Sequence, residues 1–302
     1  MRVFVTGASG FIGSAVVPEL LSAGHDVLGL ARSEASAAAV RARGAEVLRG
    51  DLDDLAALRR GAESAEGVVH LANKHDWTDP GESDRAERAA VETLAEALSG
   101  SGRPLVLAAG LALPGLGRSG LGRPAEEDDR SDAHGVDSPR GGAENLALGY
   151  AEKGVRVVSA RFAPTVHGAG DRGFIAIVAE HARRTGRAAY PGTGTNRWPA
   201  VHRSDTAVLV RLALEQAPAG SVVHAAAEEG VPVREVVTAL ARRLHLPTES
   251  VPPERLAQEL PFVGAFLAAD VPASSARTRE LLGWRPSGPT LLEDIDAGHY
   301  DR

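Results

Sequence analysis

The chain has 302 residues, 43% of them hydrophobic and 24% charged, enough for one large α/β domain or a nucleotide-binding domain with a smaller lobe. It contains no cysteine, which excludes disulfides, thiol nucleophiles and Cys-ligated zinc. The net charge of −7 lies in no long like-charged run and aromatic content is 4%, so neither phosphate neutralisation nor base stacking with nucleic acid is expected. The predicted elements then alternate. "RVFVTG" (2–7) reads as a buried strand and "FIGSAVVPELLSAG" (11–24) as a helix. Strand "DVLGLAR" (26–32), helix "ASAAAVRARG" (35–44), strand "AEVLRGD" (45–51) and helix "LAALRRGA" (55–62) follow. Next come strand "GVVHLA" (67–72), a long amphipathic helix (83–100), strand "PLVLAAG" (104–110), helix "AENLALGYAEKG" (143–154) and strand "VRVVSARF" (155–162). Short apolar strands with helical crossovers predict a doubly wound parallel sheet of Rossmann type, covered on both faces.

After Phe162 the rhythm breaks. Gly/Pro-rich loops at 163–200 surround one predicted helix, "FIAIVAEHARRTG", and short proline-separated helices fill 230–300. The reading is a dinucleotide-binding domain over 1–162 and a small, mostly helical substrate lobe over 163–302. Segments near 201–226, including the strand "SVVHAA", return to complete the sheet. The Gly-rich "LPGLGRSGLGRP" (113–124) and acidic "EEDDRSD" (126–132) make a long irregular connection, of a length that is either a lid or unstructured. No apolar run approaches the roughly 18 residues of a membrane span, and "MRVFVTG" turns too early for a leader, so a cytoplasmic location is expected.

Gly7, Gly10 and Gly13 stand between the first strand and first helix. The first permits the tight turn, the second lets backbone N–H groups approach a pyrophosphate, and the third lets helix and strand pack closely. Ser9, Phe11 and Ile12 complete this predicted cofactor loop. Nineteen residues after Gly13, at the end of the second strand, Arg32-Ser33 occupies the place where an NAD site puts Asp or Glu. An arginine there suits the 2′-phosphate of NADP, so NADP is expected over NAD; a solvated surface arginine is the plain alternative. Asp51, beside Leu52, would accept from the adenine amino group or cap the helix "LAALRR".

With "TGASGFIG", "GDLDD" and "VVHLAN" in order, the chain resembles the extended short-chain dehydrogenase/reductase superfamily, of NAD-dependent epimerase/dehydratase type. "RFAPTVHG" (161–168), "GTNRWPAVHRSDTA" (194–207) and the terminal "ASSARTRELLGWRP" extend the likeness over the whole chain. The resemblance implies cofactor contacts from Leu71, Ala72 and Asn73 after the fourth strand, and a Tyr-x-x-x-Lys pair with a nearby Ser or Thr. That pair is missing. Tyrosine occurs only at 150, 190 and 300, the expected positions fall on Val136 and Arg140, and the fifth strand ends "LAAG". An atypical subgroup with Ser-Pro-Arg in this region is the nearer likeness, and it implies a cofactor contact from Arg140.

The replacement is sought in "NKHDWTD" (73–79), which leaves the sheet edge where a doubly wound fold places its site. His75 would act as acid or base, Asp76 would orient it, and Lys74 would donate a proton or take lysine's place beside the ribose. A polar surface loop with Trp77 covering the sheet edge is the alternative. His134 is a weaker candidate. His167 suits cofactor contact and plain packing equally, and His202 and Asp205 read as architectural. Histidine spacing suggests no metal site. The expected partner is a small organic substrate, with secondary metabolites among the options and a homodimer left open; no nucleic acid or membrane partner is expected. Three functions remain: an NADPH-dependent oxidoreductase with a replaced proton donor, a non-redox cyclase, dehydratase or isomerase, and a catalytically silent NADP sensor.

Overall fold

A computed structural model describes residues 1–74, 79–111 and 121–301. The first half runs β1 (Arg2–Thr6), α1 (Gly13–Ser22), β2 (Asp26–Ala31), α2 (Glu34–Arg41), β3 (Glu46–Arg49), α3 (Leu55–Glu63), β4 (Gly67–His70), α4 (Pro80–Leu98), β5 (Pro104–Gly110), α5 (Ala143–Gly149) and β6 (Arg156–Phe162). The second half begins β7 (Thr165–His167), α6 (Phe174–Thr185), β8 (Ala188–Pro191), β9 (Arg197–His202), α7 (Arg203–Gln216) and β10 (Ser221–Ala225). It ends β11 (Glu228–Pro232), α8 (Val233–Leu244), β12 (Thr248–Val251), α9 (Pro253–Glu259), α10 (Val263–Leu267), α11 (Ala276–Leu282) and α12 (Leu291–Asp296).

Seven strands form one parallel sheet in the order β10-β6-β5-β4-β1-β2-β3. Alternation along β1 sets the two layers. Val3 and Val5 pack with Val16, Val17 and Leu20 of α1 and Leu209 and Leu214 of α7. Phe4 points the other way, among Leu58 of α3 and Leu94 and Leu98 of α4. A parallel sheet buried on both faces explains why its strands read as continuous apolar runs.

The lobe departs from the sequence reading. Two small sheets, β11-β9-β7 and β12-β8, stand among its helices where loops around one helix are predicted. Strands as short as the three residues Thr165–His167 carry too little alternation to register. The described part of the long connection is also pinned rather than loose. Ala125 donates to the Pro272 carbonyl at 2.8 Å, and Glu127 Oε1 accepts from both N–H and hydroxyl of Thr278. The Asp129 carbonyl accepts from the buried Arg161 at 2.9 Å, so 121–138 form a strap fixed to β6 and α11.

Candidate functional site

Strand order reverses at β1, flanked by β2 and β4, which opens a crevice at the strands' C-terminal ends. Gly7 turns there with φ +70°, and a Cβ on it would lie 2.8 Å from the Ala72 nitrogen and 2.9 Å from the Leu71 carbonyl carbon. A Cβ on Gly13 would lie 2.1 Å from the Gly7 oxygen, so the loop closes only with glycine at both positions. Gly10 is different: it is exposed, and a Cβ would meet only the Gly7 oxygen, at 3.1 Å, before entering open space. Ser9, Phe11 and Ile12 are half-buried around it, and the N-terminus of α1 has no side-chain cap. Its first N–H groups thus suit a pyrophosphate.

On the β2–β3 side, Arg32 is exposed at the strand end and makes no ion pair among the described residues. Ser33 is the N-cap of α2, its hydroxyl accepting from the Ser36 N–H in a capping box. Asp51 folds back on its own turn, accepting from the N–H groups of Asp53 and Asp54 at 3.0 and 3.1 Å. The cap of α3 is Asp54, one turn later than the sequence reading placed it, while Leu52 enters the core. Lys74 leans to this side, with Nζ 2.9 Å from Asp53 and 2.5 Å from Glu82. The hydrogen bond it donates to Glu82, then that to Asp53, raises its pKa, so it stays charged and paired.

The β4–β5 side is built differently. Val136, in the expected tyrosine position, is 42% exposed. Arg140, in the lysine position, sits in a 3-10 turn (Pro139–Gly142) with the left-handed φ of +54°. Its backbone N–H donates to Asp84, and its guanidinium forms a two-pronged pair with Glu87, one prong at 2.9 Å and the other shorter. Asn73 donates to the same Glu87 at 2.7 Å. The Glu87 side chain is only 2% exposed, so the carboxylate is sealed from water while Arg140 keeps partial access to the cleft. Ala108, Ala109, Gly110, Ser131 and Ala133 line the cleft beside Arg140. Ser131 of the strap is buried, its hydroxyl oxygen accepting from the Ala133 N–H at 3.2 Å.

Beneath the cleft, Thr6 Oγ1 accepts from the Ala72 N–H and lies 2.8 Å from His70 Nδ1. If that hydroxyl donates to Nδ1, the imidazole proton sits on Nε2, which is buried and has no hydrogen-bond partner among the described residues. Burial, reinforced by the Arg140 charge, pushes His70 down to about 4, so it is neutral at ordinary pH. Sequence reasoning did not single out His70, Asp84, Glu87 or Ser131. Glu87 had a visible signal: with Ser83, Ala90, Val91 and Leu94 it lies on the buried stripe of α4, where a carboxylate needs a partner.

His75 and Asp76 lie outside the described residues. His134 is exposed on the strap. His167 is buried with Nδ1 2.5 Å from Asp294, which places it in a packing role within the lobe. Asp205 accepts from the N–H groups of Ser287 and Gly288, and the His202 ring caps α7.

The model of the NAD dependent epimerase/dehydratase family matches residues 3–226, from β1 through β10. The chain belongs to that family. It is 42% identical to the uncharacterized protein C2A9.02 of Schizosaccharomyces pombe, over 99% of this chain and all of the relative. It is 40% identical to the uncharacterized protein YLL056C of Saccharomyces cerevisiae, over 99% of each. MoeE5, solved with UDP-glucose and NAD, is 27% identical with a TM-score of 0.74, covering 99% of this chain and 97% of its own. A nicotinamide dinucleotide is therefore the expected cofactor of this family member. Among the described residues, no helix is long and apolar enough to cross a membrane.

Proposed function

We infer that this family member is an NADP(H)-dependent oxidoreductase acting on a small organic carbonyl compound or the corresponding alcohol. The observation that carries this is the Arg140–Glu87 pair, a partly exposed cation held on a buried carboxylate in the expected lysine position, at the end of the crevice away from Arg32. A fixed charge with its backbone held in the left-handed region signals a built site, because such strain persists only where the surroundings enforce it. Gly7, Gly10 and Gly13 would hold the pyrophosphate, Arg32 the 2′-phosphate, and Arg140 the nicotinamide ribose. NADPH supplies a hydride when bound. The chain's own part is to orient the carbonyl, a role we give to Ser131 beside Arg140 in the cleft, and to deliver a proton to its oxygen.

Arg140 is unsuited to that proton transfer, since a guanidinium does not deprotonate in proteins. Lys74, held by Asp53 and Glu82, is better suited to tying the β4 loop to the β3 turn. We therefore assign the proton to His75, with Asp76 as its orienting partner. The neighbouring Asn73 is anchored on Glu87, which roots the loop beside Arg140. The test is oxidation of NADPH against a panel of carbonyl compounds. His75→Ala should then lower turnover about 10²–10⁴-fold with NADPH affinity little changed. Tight NADPH binding with product isomerised or dehydrated and no net oxidation would favour the non-redox reading. Binding with no turnover of any kind would favour a sensor.

A further inference from the structure

Arg203 opens α7, on the lobe's return to the sheet, and comes to rest on the cofactor loop. Its guanidinium carbon is 5.4 Å from the ring centroid of Phe11, the residue after exposed Gly10. Its stem packs on the turn after β7: a Cβ on Gly168 would lie 3.2 Å from both Cγ and Cδ of Arg203. The side chain is half-buried and makes no ion pair or hydrogen bond among the described residues. The chain is otherwise rich in paired arginines; Arg161, Arg187, Arg197 and Arg211 all hold carboxylates. A half-buried guanidinium resting on an aromatic face, without an anion, is incompletely satisfied.

The loop from Gly7 to Ser14 carries no basic side chain, so it offers a pyrophosphate only N–H groups and the helix dipole. We propose that Arg203 is the lobe's contribution to the dinucleotide site, leaving the Phe11 ring to pair with the pyrophosphate. The side of approach identifies which phosphate it takes. Helix α7 flanks α1 and packs on β5, β6 and β10, and these three strands lie on the half of the sheet away from β2 and Arg32. Arg203 therefore meets the nicotinamide-side phosphate, and through it cofactor binding draws the lobe onto the Rossmann domain.

This inference rests on the NADP reading above, and the two fail in distinguishable ways. NADPH and adenosine 2′,5′-bisphosphate, which lacks the nicotinamide-side phosphate, are titrated calorimetrically into the parent, Arg203→Gln and Arg203→Lys, each checked for folding by circular dichroism. Arg203→Gln should weaken NADPH about tenfold or more and leave the bisphosphate within about twofold, as expected for one charge-assisted contact. Arg203→Lys should recover most of the loss. Unchanged NADPH affinity in folded Arg203→Gln, or equal losses for both ligands, would overturn the role of Arg203 alone. A parent that binds neither NADPH nor NADH would overturn the cofactor reading beneath it.

Discussion

The two ends of the crevice follow different logics. At the β1–β2–β3 end the loop geometry is set by local requirements: glycines at 7 and 13 where a Cβ would strike backbone, and an exposed Gly10 facing open space. At the β4–β5 end, the family's tyrosine, lysine and hydroxyl are replaced by Val136, Arg140 and the Ala109-Gly110 end of β5. What stands there instead is a long-range assembly in which Glu87, Asp84 and Asn73 hold one arginine. On the function proposed above, the binding end is kept and the chemical end is rebuilt. A change at the exposed Gly10 should therefore move cofactor affinity without unfolding the protein, whereas changes at the second end should cost stability as well.

The strongest test of the first half of that contrast is Gly10→Val. Its side chain would project into the pyrophosphate's space, so NADPH affinity should fall more than about a hundredfold while the far-ultraviolet spectrum stays unchanged. Gly13→Ala should do the opposite kind of damage and unfold at markedly lower denaturant, because its Cβ would sit 2.1 Å from the Gly7 oxygen. If Gly10→Val bound NADPH like the parent, the loop assignment would be wrong. At the other end, Glu87→Ala strips the carboxylate from a guanidinium whose side chain is 24% exposed. Urea melts should show a loss of about 3 kcal/mol, typical of breaking one partner of a buried pair. A loss under about 1 kcal/mol would mean that Arg140 relaxes to water and that the β4–β5 end is not a fixed site.

The same contrast decides how much was legible in the sequence. The glycine turn was readable because much of it is local: Gly7 takes a left-handed φ of +70°, and a Cβ on Gly13 would strike the Gly7 oxygen. The seven-stranded sheet was readable because its inner strands are buried on both faces; the edge strand β3, with Glu46 and Arg49 exposed, was readable from its place between two helices. The Arg140–Glu87 pair spans 53 positions, and nothing in the local pattern around Pro139-Arg140 names its partner. Asp51 shows a subtler failure. Asp51, Asp53 and Asp54 all sit just before the helix, and only the turn geometry decides that Asp54 caps it. His70 was quoted in a motif and passed over, since its exposure of 1% follows from tertiary packing.

His70 gives the β4 side a pH signature. Burial first, and the Arg140 charge second, lower its pKa from the ordinary 6.5 to about 4. Between those values the unfolded chain binds a proton that the folded chain refuses. The associated stability is complete above about pH 6.5 and drains away as pH falls toward 4, amounting to about 2.5 kcal/mol between pH 7 and 4.5. His70→Asn should lose less stability than the parent over that interval, by about this amount, in urea melts at the two pH values. Equal losses would show that His70 is protonated in the folded protein. On the β2 side, Arg32→Ala should erase most of a ten- to hundredfold preference for NADPH over NADH without altering stability. Equal affinities of the parent for the two cofactors would remove the basis for NADP.

The smallest effect is expected at Tyr150, and it tests the boundary of the rebuilt end. Tyr150 and Lys153 place a tyrosine and a lysine close together, which invites a shifted version of the family pair. The structure puts them elsewhere. Tyr150 closes α5, is 4% exposed in the core beneath the sheet, and its carbonyl accepts from the Val155 N–H just before β6 begins. That is the N-terminal edge of the strands, opposite the crevice. Lys153 lies over the ring face, with Nζ 4.0 Å from the centroid, a cation–π contact. Burial, with smaller contributions from Glu96 and Glu92, raises the phenol's pKa, the wrong direction for a group that must cycle its proton near neutrality. Tyr150→Phe keeps the ring, so turnover and NADPH affinity should stay within about twofold of the parent. Collapse of turnover with affinity intact would place the proton donor on α5 and undo the assignment to the β4 loop.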